Sequence, residues 1–450
     1  MKRTLVFLIT IFSIAQSLSQ TNPAIISWIR NTSGTLGRYY VSGNSTTLSN
    51  GISVNVQNVY YNTTDAYIKT NGIPSYPVGP YLDGNPNQAG SQNAIFKFPL
   101  NPQQNTGTPT ATTLGNIGVF INGVALFDYR DGVSWKNSTN AFAGGPLGGT
   151  GDGVWNRDAV IYEKAGFDCA KGHPAGTNYH HHQNPSAFKL DLVVISTICN
   201  LYDSDGLYTI NSTQHSPLIG FAYDGFPVYG AYGYANTDGT GGIVRMKSGY
   251  QLRNITVRTH YANGTDVTDG PAVSTTYPLG TFREDYEYVS HPTDASYLDE
   301  HNGRFCVTPE YPSGTYAYFA TVDSNHNSAY PYAVGPTFYG VYANRKVTSI
   351  PSGTTEYLKV DDVVISDNEI SITPNPASEF ISVQYTNGLL TEDLKLDLFD
   401  SNGKLVKQNK LYKGSTISFI ETETLYDGIY FLKISDAKSS ITKKVILKKD

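Results

Sequence analysis

Short apolar and aromatic runs, broken by clusters of Gly, Pro, Asn and Asp, recur along most of the chain, and a helical period is almost nowhere sustained. "IGVFINGVALFDYR" (117–130), "KLDLVVIS" (189–196) and "GTYAYFATVD" (314–323) are rich in β-branched and aromatic residues and are bounded by turn formers, so each reads as strand. No fixed-period repeat is evident, which argues against a propeller or a β-helix. In "LKLDLFDSNGKLVKQNKL" (394–411), Leu394, Leu396 and Leu398 alternate with Lys395 and Asp397, and Asn402-Gly403 offers the positive φ of a tight hairpin turn. The closing stretch 427–450 repeats the pattern: two alternating runs around a polar turn. The expected fold class is all-β: a large irregular β-sandwich or barrel-like domain with long loops, plus a small C-terminal Ig-like β-sandwich.

The first twenty residues, "MKRTLVFLITIFSIAQSLSQ", carry a basic start, an apolar run from Leu5 to Ala15 and a small polar close. That is the pattern of a secretory signal peptide, too short to cross a bilayer as a helix. No later stretch reaches eighteen apolar residues, so no transmembrane segment is expected in the mature protein.

Composition changes sharply near residue 367. Of 34 tyrosines 30 precede that point, as do 39 of 43 glycines, whereas the last 83 residues hold 11 of the 32 basic residues, all lysine. The expected boundaries are a signal peptide at 1–20, a β-rich domain at 21–349, a linker at 350–367 and a tail domain at 368–450. With a net charge of −6 and only 16% charged residues, the chain has no basic surface to neutralise a phosphate backbone, which excludes nucleic acid as an expected partner.

The chemistry concentrates in "GFDCAKGHPAGTNYHHHQNP" (166–185), where Asp168, Cys169, His173, His180, His181 and His182 lie within fifteen residues. If 179–182 is extended, His180 and His182 share one face and His181 takes the other. Residues i and i+2 stand roughly 6.5 Å apart along a strand, near enough for two imidazoles to meet on one ion at about 2.0–2.1 Å each. His173, returning over a His-Pro-Ala-Gly turn, is the third expected ligand. The bland alternative is a set of rings that are solvated or hydrogen-bonded to nearby tyrosines.

Cys169 is either a fourth ligand, which would suit copper or zinc, or half of a disulfide. In an oxidising compartment two of Cys169, Cys199 and Cys306 are expected to pair. Cys199, after the apolar run "DLVVISTIC", is expected to be buried and to take part.

Two further stretches carry polar groups. In "HSPLIGFAYDGFPVYGAYG" (215–233), Asp224 either caps its own turn or serves catalysis, the former being the commoner role. In "YLDEHNGRFCVTPEYPSGTYAYFATVD" (297–323), Asp299, Glu300, His301, Arg304 and Glu310 form a polar site or a charged loop. "DSNHN" (323–327) begins like a calcium loop, but Ser328 stands where the EF-hand glycine belongs. No HExxH, nucleophile elbow or Walker loop is present.

Five ordered segments, "INGVALFD", "HPAGTNYHHHQNP", "SPLIGFAYDGFPVYG", "YLDEHNGRFCVTPEYPSGTYAYF" and "YPYAVGPTFYG", resemble the YHYH protein family over most of 115–340. Its Tyr-His-Tyr-His signature falls on Tyr179, His180, His181 and His182, with histidine in place of the second tyrosine. This resemblance implies an extracellular β-rich domain without a settled activity. The tail, with "ITPNPASEFISV", "LFDSNGKLV", "DGIYFLKI" and a lysine-rich last strand, is similar to the C-terminal sorting domain of the type IX secretion system. That likeness implies contact with the type IX secretion machinery and a secreted or outer-membrane surface-attached protein.

Three function classes follow. The leading one is a secreted or cell-surface metal-binding protein using His180, His182 and His173. The second is an extracellular metal-dependent enzyme acting on a polymer, with Asp224, Glu300 or His301 near the ion. The third is a non-catalytic adhesin whose tyrosines serve as exposed platforms for an extracellular glycan.

Overall fold

A computed structural model describes residues 21–82, 87–193, 196–357, 369–386, 390, 393–436 and 440–449. The expected signal peptide lies outside the described residues. The chain divides into two compact units, 1–357 and 358–450.

The large unit is built around an eight-stranded sheet. Its strands are β1 (Asn116–Phe120), β2 (Ala125–Phe127), β3 (His173–Ala175), β4 (Asn178–His181), β5 (Leu218–Ala222), β6 (Pro227–Tyr229), β7 (Gly303–Thr308) and β8 (Tyr311–Phe319), in spatial order β3-β4-β2-β1-β5-β6-β8-β7. The sheet has free edges at β3 and β7, so it is a sandwich layer and does not close into a barrel. A five-stranded sheet, centred on Val56–Tyr61, Asp65–Thr70 and Ala94–Pro99, supplies the second layer.

Alternation explains how the layers meet. Along Ala94–Pro99 every second residue is buried, so Ala94, Phe96 and Phe98 turn inward. Phe98 and Phe221 of β5 both lie against Trp28, with ring centroids 5.3–5.8 Å apart. Each such fully buried aromatic contributes about 2–3 kcal/mol by leaving water. Strand β5 is buried at all five positions, as a central strand covered on both faces must be.

The run 117–130 is a hairpin: β1 and β2 pair antiparallel around a turn in which Gly123 adopts φ +80°. Among the described residues of 189–196 the expected strand does not form. Phe188–Leu190 is a 3-10 turn and Leu192 and Val193 are exposed, while 194–195 lie outside the described residues. Asp191 is claimed by the buried Lys171 ammonium at 2.6 Å, which holds this segment as a loop. Within the expected linker, Thr355–Glu356 pairs with Val56–Tyr61, so the large unit runs on to Tyr357. Residues 358–367 lie outside the described set.

The second unit is a sandwich of a three-stranded and a four-stranded antiparallel sheet around its own core, including Ile381, Val383, Leu396, Leu398, Leu432, Ile434 and Val445. Leu394, Leu396 and Leu398 all point inward, as their alternation requires. Between Phe399 and Leu405 the connection is longer than a two-residue turn, and of Asn402-Gly403 only Gly403 takes a positive φ, +79°. The Asp400 carboxylate organises that loop by accepting from the amides of Asn402 and Lys404.

Candidate metal centre

The histidines are assembled by a hairpin at the sheet's edge. Strands β3 and β4 are joined through Gly176-Thr177, where Gly176 has φ +59°, a conformation glycine adopts at little cost in a tight hairpin turn. The register places His173 directly opposite His180. On its other side β4 runs parallel to β2, with His180 beside Ala125. His182, one residue beyond β4, falls on the same side as His180, so one nitrogen from each of His173, His180 and His182 lies within 4.8 Å of the others. All three rings are buried.

The hydrogen bonds fix the tautomers. His180 Nδ1 lies 2.9 Å from the Asn178 carbonyl, and His182 Nδ1 meets the Asp128 carbonyl. A carbonyl only accepts, so both Nδ1 atoms carry hydrogen and each neutral ring keeps its lone pair on Nε2. Those two Nε2 atoms face one another at 3.0 Å. Two opposed lone pairs repel, so the gap calls for a cation, either a proton or a metal ion. Two nitrogens bound tetrahedrally at 2.0–2.1 Å would stand about 3.3 Å apart, close to the spacing found.

Glu163 completes the cluster. Its Oε2 lies 3.2 Å from His182 Nε2 and 3.4 Å from His173 Nε2. Neither ring nitrogen of His173 has a well-formed hydrogen bond, and neither does Glu163 Oε2, which leaves donors free for an ion. Burial works against the His182 imidazolium, but the adjacent Glu163 carboxylate outweighs it and holds its pKa above the usual value. Burial, then the charges of His182 and His173, push His180 well below it. Burial opposes the Glu163 carboxylate too, yet the close approach of the His173 and His182 rings holds its pKa well below the usual range. Nothing in the sequence pattern pointed to Glu163, which reaches the site from the turn after the short helix Ala159–Tyr162.

Phe127 stacks on His180 at 3.7 Å between centroids, and Phe167 meets His173 edge-on at 4.8 Å, so the rings are held in place by packing. The three histidines and Glu163 line an open cleft of about 610 Å³, together with Phe127, Arg130 and Asp131.

The opposite face of β4 is structural. His181 points into the interior, with Nε2 2.7 Å from the Tyr76 hydroxyl and Nδ1 3.0 Å from the Lys171 carbonyl. Beside it the Tyr179 hydroxyl donates to the buried Asp168 carboxylate, which also accepts from the amides of Gly79, Ala170 and Gly172. A side chain at Gly172 would collide with the Tyr179 hydroxyl, so the loop needs glycine there.

A family model described as YHYH protein matches residues 95–330, more than half of the chain. The chain belongs to the YHYH protein family. In this YHYH protein the two signature histidines, His180 and His182, are the facing pair, and the histidine replacing the second signature tyrosine is the buried His181. A second model, the secretion system C-terminal sorting domain, matches 371–448. The YHYH protein is therefore a secreted or cell-surface protein delivered through interaction with the type IX secretion machinery. No helix among the described residues is long and apolar enough to cross a membrane. No curated protein matches the chain. Among solved structures, dimeric latent PorU from Porphyromonas gingivalis is similar at 17% identity over 18% of this chain and 9% of its own, with a TM-score of 0.15. The match touches only that small part of PorU.

The other expected groups of the YHYH protein do not join the cleft. Cys169 is bonded to Cys199 and is not a ligand, while Cys306 is free and buried. Cys199 sits only half-buried on a 3-10 turn (Thr197–Asn200), because the apolar run before it is not a strand. Asp224 is buried, accepting from the Phe226 amide, the Gly340 amide and the Tyr318 hydroxyl, so its turn-capping role holds. His301 Nδ1 pairs with the Thr337 hydroxyl, and neither His301 nor Glu300 lines the cleft. Asp323 spends its carboxylate on Asn325 and Asn327 within its own loop. Every tyrosine between residues 21 and 357 is buried or half-buried, so exposed aromatic platforms are not what these side chains provide.

Proposed function

We propose that this YHYH domain is an extracellular transition-metal-binding module, holding zinc or copper through His173, His180 and His182. The single observation that carries the reading is the 3.0 Å approach of two Nε2 atoms whose Nδ1 partners are backbone carbonyls. Carbonyls that fix the tautomer of a ligating histidine are the usual outer shell of such sites. Glu163 serves as a fourth ligand or as acceptor for a metal-bound water.

A second reading, metal-dependent chemistry on an extracellular polymer, is supported by the cleft. Three protein nitrogens leave at least one position of a tetrahedral ion open, and all three ligands line a space that solvent reaches. The test is elemental analysis of the full exported chain without a histidine tag. One equivalent of zinc or copper, lost in the His180→Ala and His182→Ala variants, is the expected result. Protein that takes up neither metal at neutral pH overturns the proposal.

A further inference from the structure

Arg130 stands on the wall of the same cleft, and one residue ties it to the histidines. The backbone carbonyl of Asp128 accepts from His182 Nδ1, while the carboxylate of Asp128 accepts from Arg130 Nε at 2.5 Å. Arg130 Nη2 donates to the Thr112 carbonyl at 2.6 Å. The guanidinium is thus clamped at two nitrogens, leaving Nη1 without a protein partner among the described residues. Its side chain is 16% exposed, and the residue lines both this cleft and the neighbouring one bounded by Tyr250, Arg283 and Tyr330.

Charge in and behind the wall is nearly balanced. Arg130 faces Asp128 and Arg157 pairs with Asp131, so these two guanidinium groups are offset by two carboxylates. A divalent ion on the histidines adds positive charge beside these balanced pairs. The cleft would then attract an anion more strongly with the metal in place than without it.

We infer that the metal-loaded cleft binds an oxyanion group, with one oxygen at the open metal position and another on the Arg130 guanidinium. This rests on the metal reading above. The ligand is a compact group bearing at least two oxygens on one centre, a carboxylate such as that of a uronic acid or a phosphate monoester. A fixed guanidinium beside a Lewis-acidic ion suits both, because each holds one oxygen in a defined direction. The apolar parts of the wall, Phe127, Leu114 and Pro146, are left for the body of the ligand.

The experiment uses the full exported chain loaded with Co2+, whose visible spectrum reports changes in coordination. Galacturonate, acetate and inorganic phosphate are titrated separately into wild type, Arg130→Gln and Arg130→Lys, each checked for folding by near-UV circular dichroism and for one equivalent of metal. Wild type is expected to show a saturable spectral shift. Arg130→Gln should weaken the anion by about tenfold or more at unchanged metal stoichiometry. Arg130→Lys, which keeps the charge beside Asp128, should weaken it severalfold. Metal-free wild type should bind none by calorimetry. A stronger response to the carboxylates assigns a uronate-type ligand, and a stronger response to phosphate a phosphomonoester. Equal affinity in wild type and both variants, or anion binding that persists without metal, overturns the inference while leaving the metal centre standing. Failure to take up Co2+, zinc and copper alike removes the metal reading itself.

Discussion

His180 and His182 meet Nε2 to Nε2 at 3.0 Å, each held in that pose by a backbone carbonyl at its other nitrogen. Without metal, the proton that relieves the two lone pairs is favoured on His182, where Glu163 raises the pKa against burial, over His180, where burial lowers it. A metal ion must displace that proton. Uptake should therefore release up to one proton, the fraction rising as pH falls through the raised His182 value. Affinity should drop by up to tenfold per pH unit below it. Calorimetry of zinc binding in buffers of different ionisation enthalpy measures the release, and a proton count that does not vary with pH would contradict this arrangement.

Glu163 touches both His173 and His182, so Glu163→Gln should lower the His182 pKa while leaving three nitrogen ligands. Metal affinity should fall about tenfold to a hundredfold, the usual scale for an outer-shell or single-ligand loss, and fewer protons should be released at pH 7. A competition assay against a zinc chelator reads the affinity. Unchanged affinity and unchanged proton release together would remove Glu163 from the site.

His181 separates binding from folding. It faces away from the cleft, so His181→Ala should keep the metal stoichiometry. It should also cost about 1–3 kcal/mol for each group left unpaired at Tyr76 and Lys171. Burial, the main cause, lowers the His181 pKa to about 3, below its unfolded value near 6.5. The unfolded chain therefore takes up this proton first as pH falls. The resulting stability is present above pH 6.5 and is lost at about 1.4 kcal/mol per pH unit between 6.5 and 3. His181→Gln, which keeps hydrogen-bonding capacity but does not titrate, should flatten that slope in urea denaturation of the metal-free protein.

The alternation of a strand made the facing histidines legible, because a period of two puts His180 and His182 together whatever the rest of the fold does. His173 was legible for a similar local reason, since the hairpin that returns it is only two residues long. Glu163 and Arg130 were not, because each arrives from a separate segment by tertiary packing. The apolar run 189–196 misled, since the pull of a buried Lys171 on Asp191 overrode its strand propensity. The sequence places His181 only on the face opposite His180 and His182, and the surrounding Tyr76, Tyr179 and Phe120 show that its ring is part of the core.

The Cys169–Cys199 bond closes a loop with a sequence separation of 30 that contains all four histidines from 173 to 182. By chain entropy it should stabilise the unit by about 3–4 kcal/mol. Cys199→Ser is expected to lower stability by that amount and to loosen metal binding, since Cys169 adjoins Asp168, whose carboxylate fixes Tyr179 on the back of β4. Alkylation of the unreduced exported protein should label no cysteine when native and only Cys306 when denatured. Three labelled cysteines would show that the bond does not form.

Each unit has its own hydrophobic core, Val59, Phe98, Phe221 and Tyr318 belonging to one, Ile381, Leu398, Leu432 and Val445 to the other. Because each core is built from residues of its own unit, removing 368–450 should leave the large unit folded with its disulfide intact. The sorting domain matched at 371–448 is what the type IX machinery reads, so the truncated chain should accumulate in the periplasm while the full chain reaches the surface or the medium. Fractionation with an antibody against the large unit, together with metal analysis of the retained protein, checks both halves of the expectation. Normal surface delivery of the truncated chain would mean that the export signal lies elsewhere, and an unfolded periplasmic product would mean that the two cores are not independent.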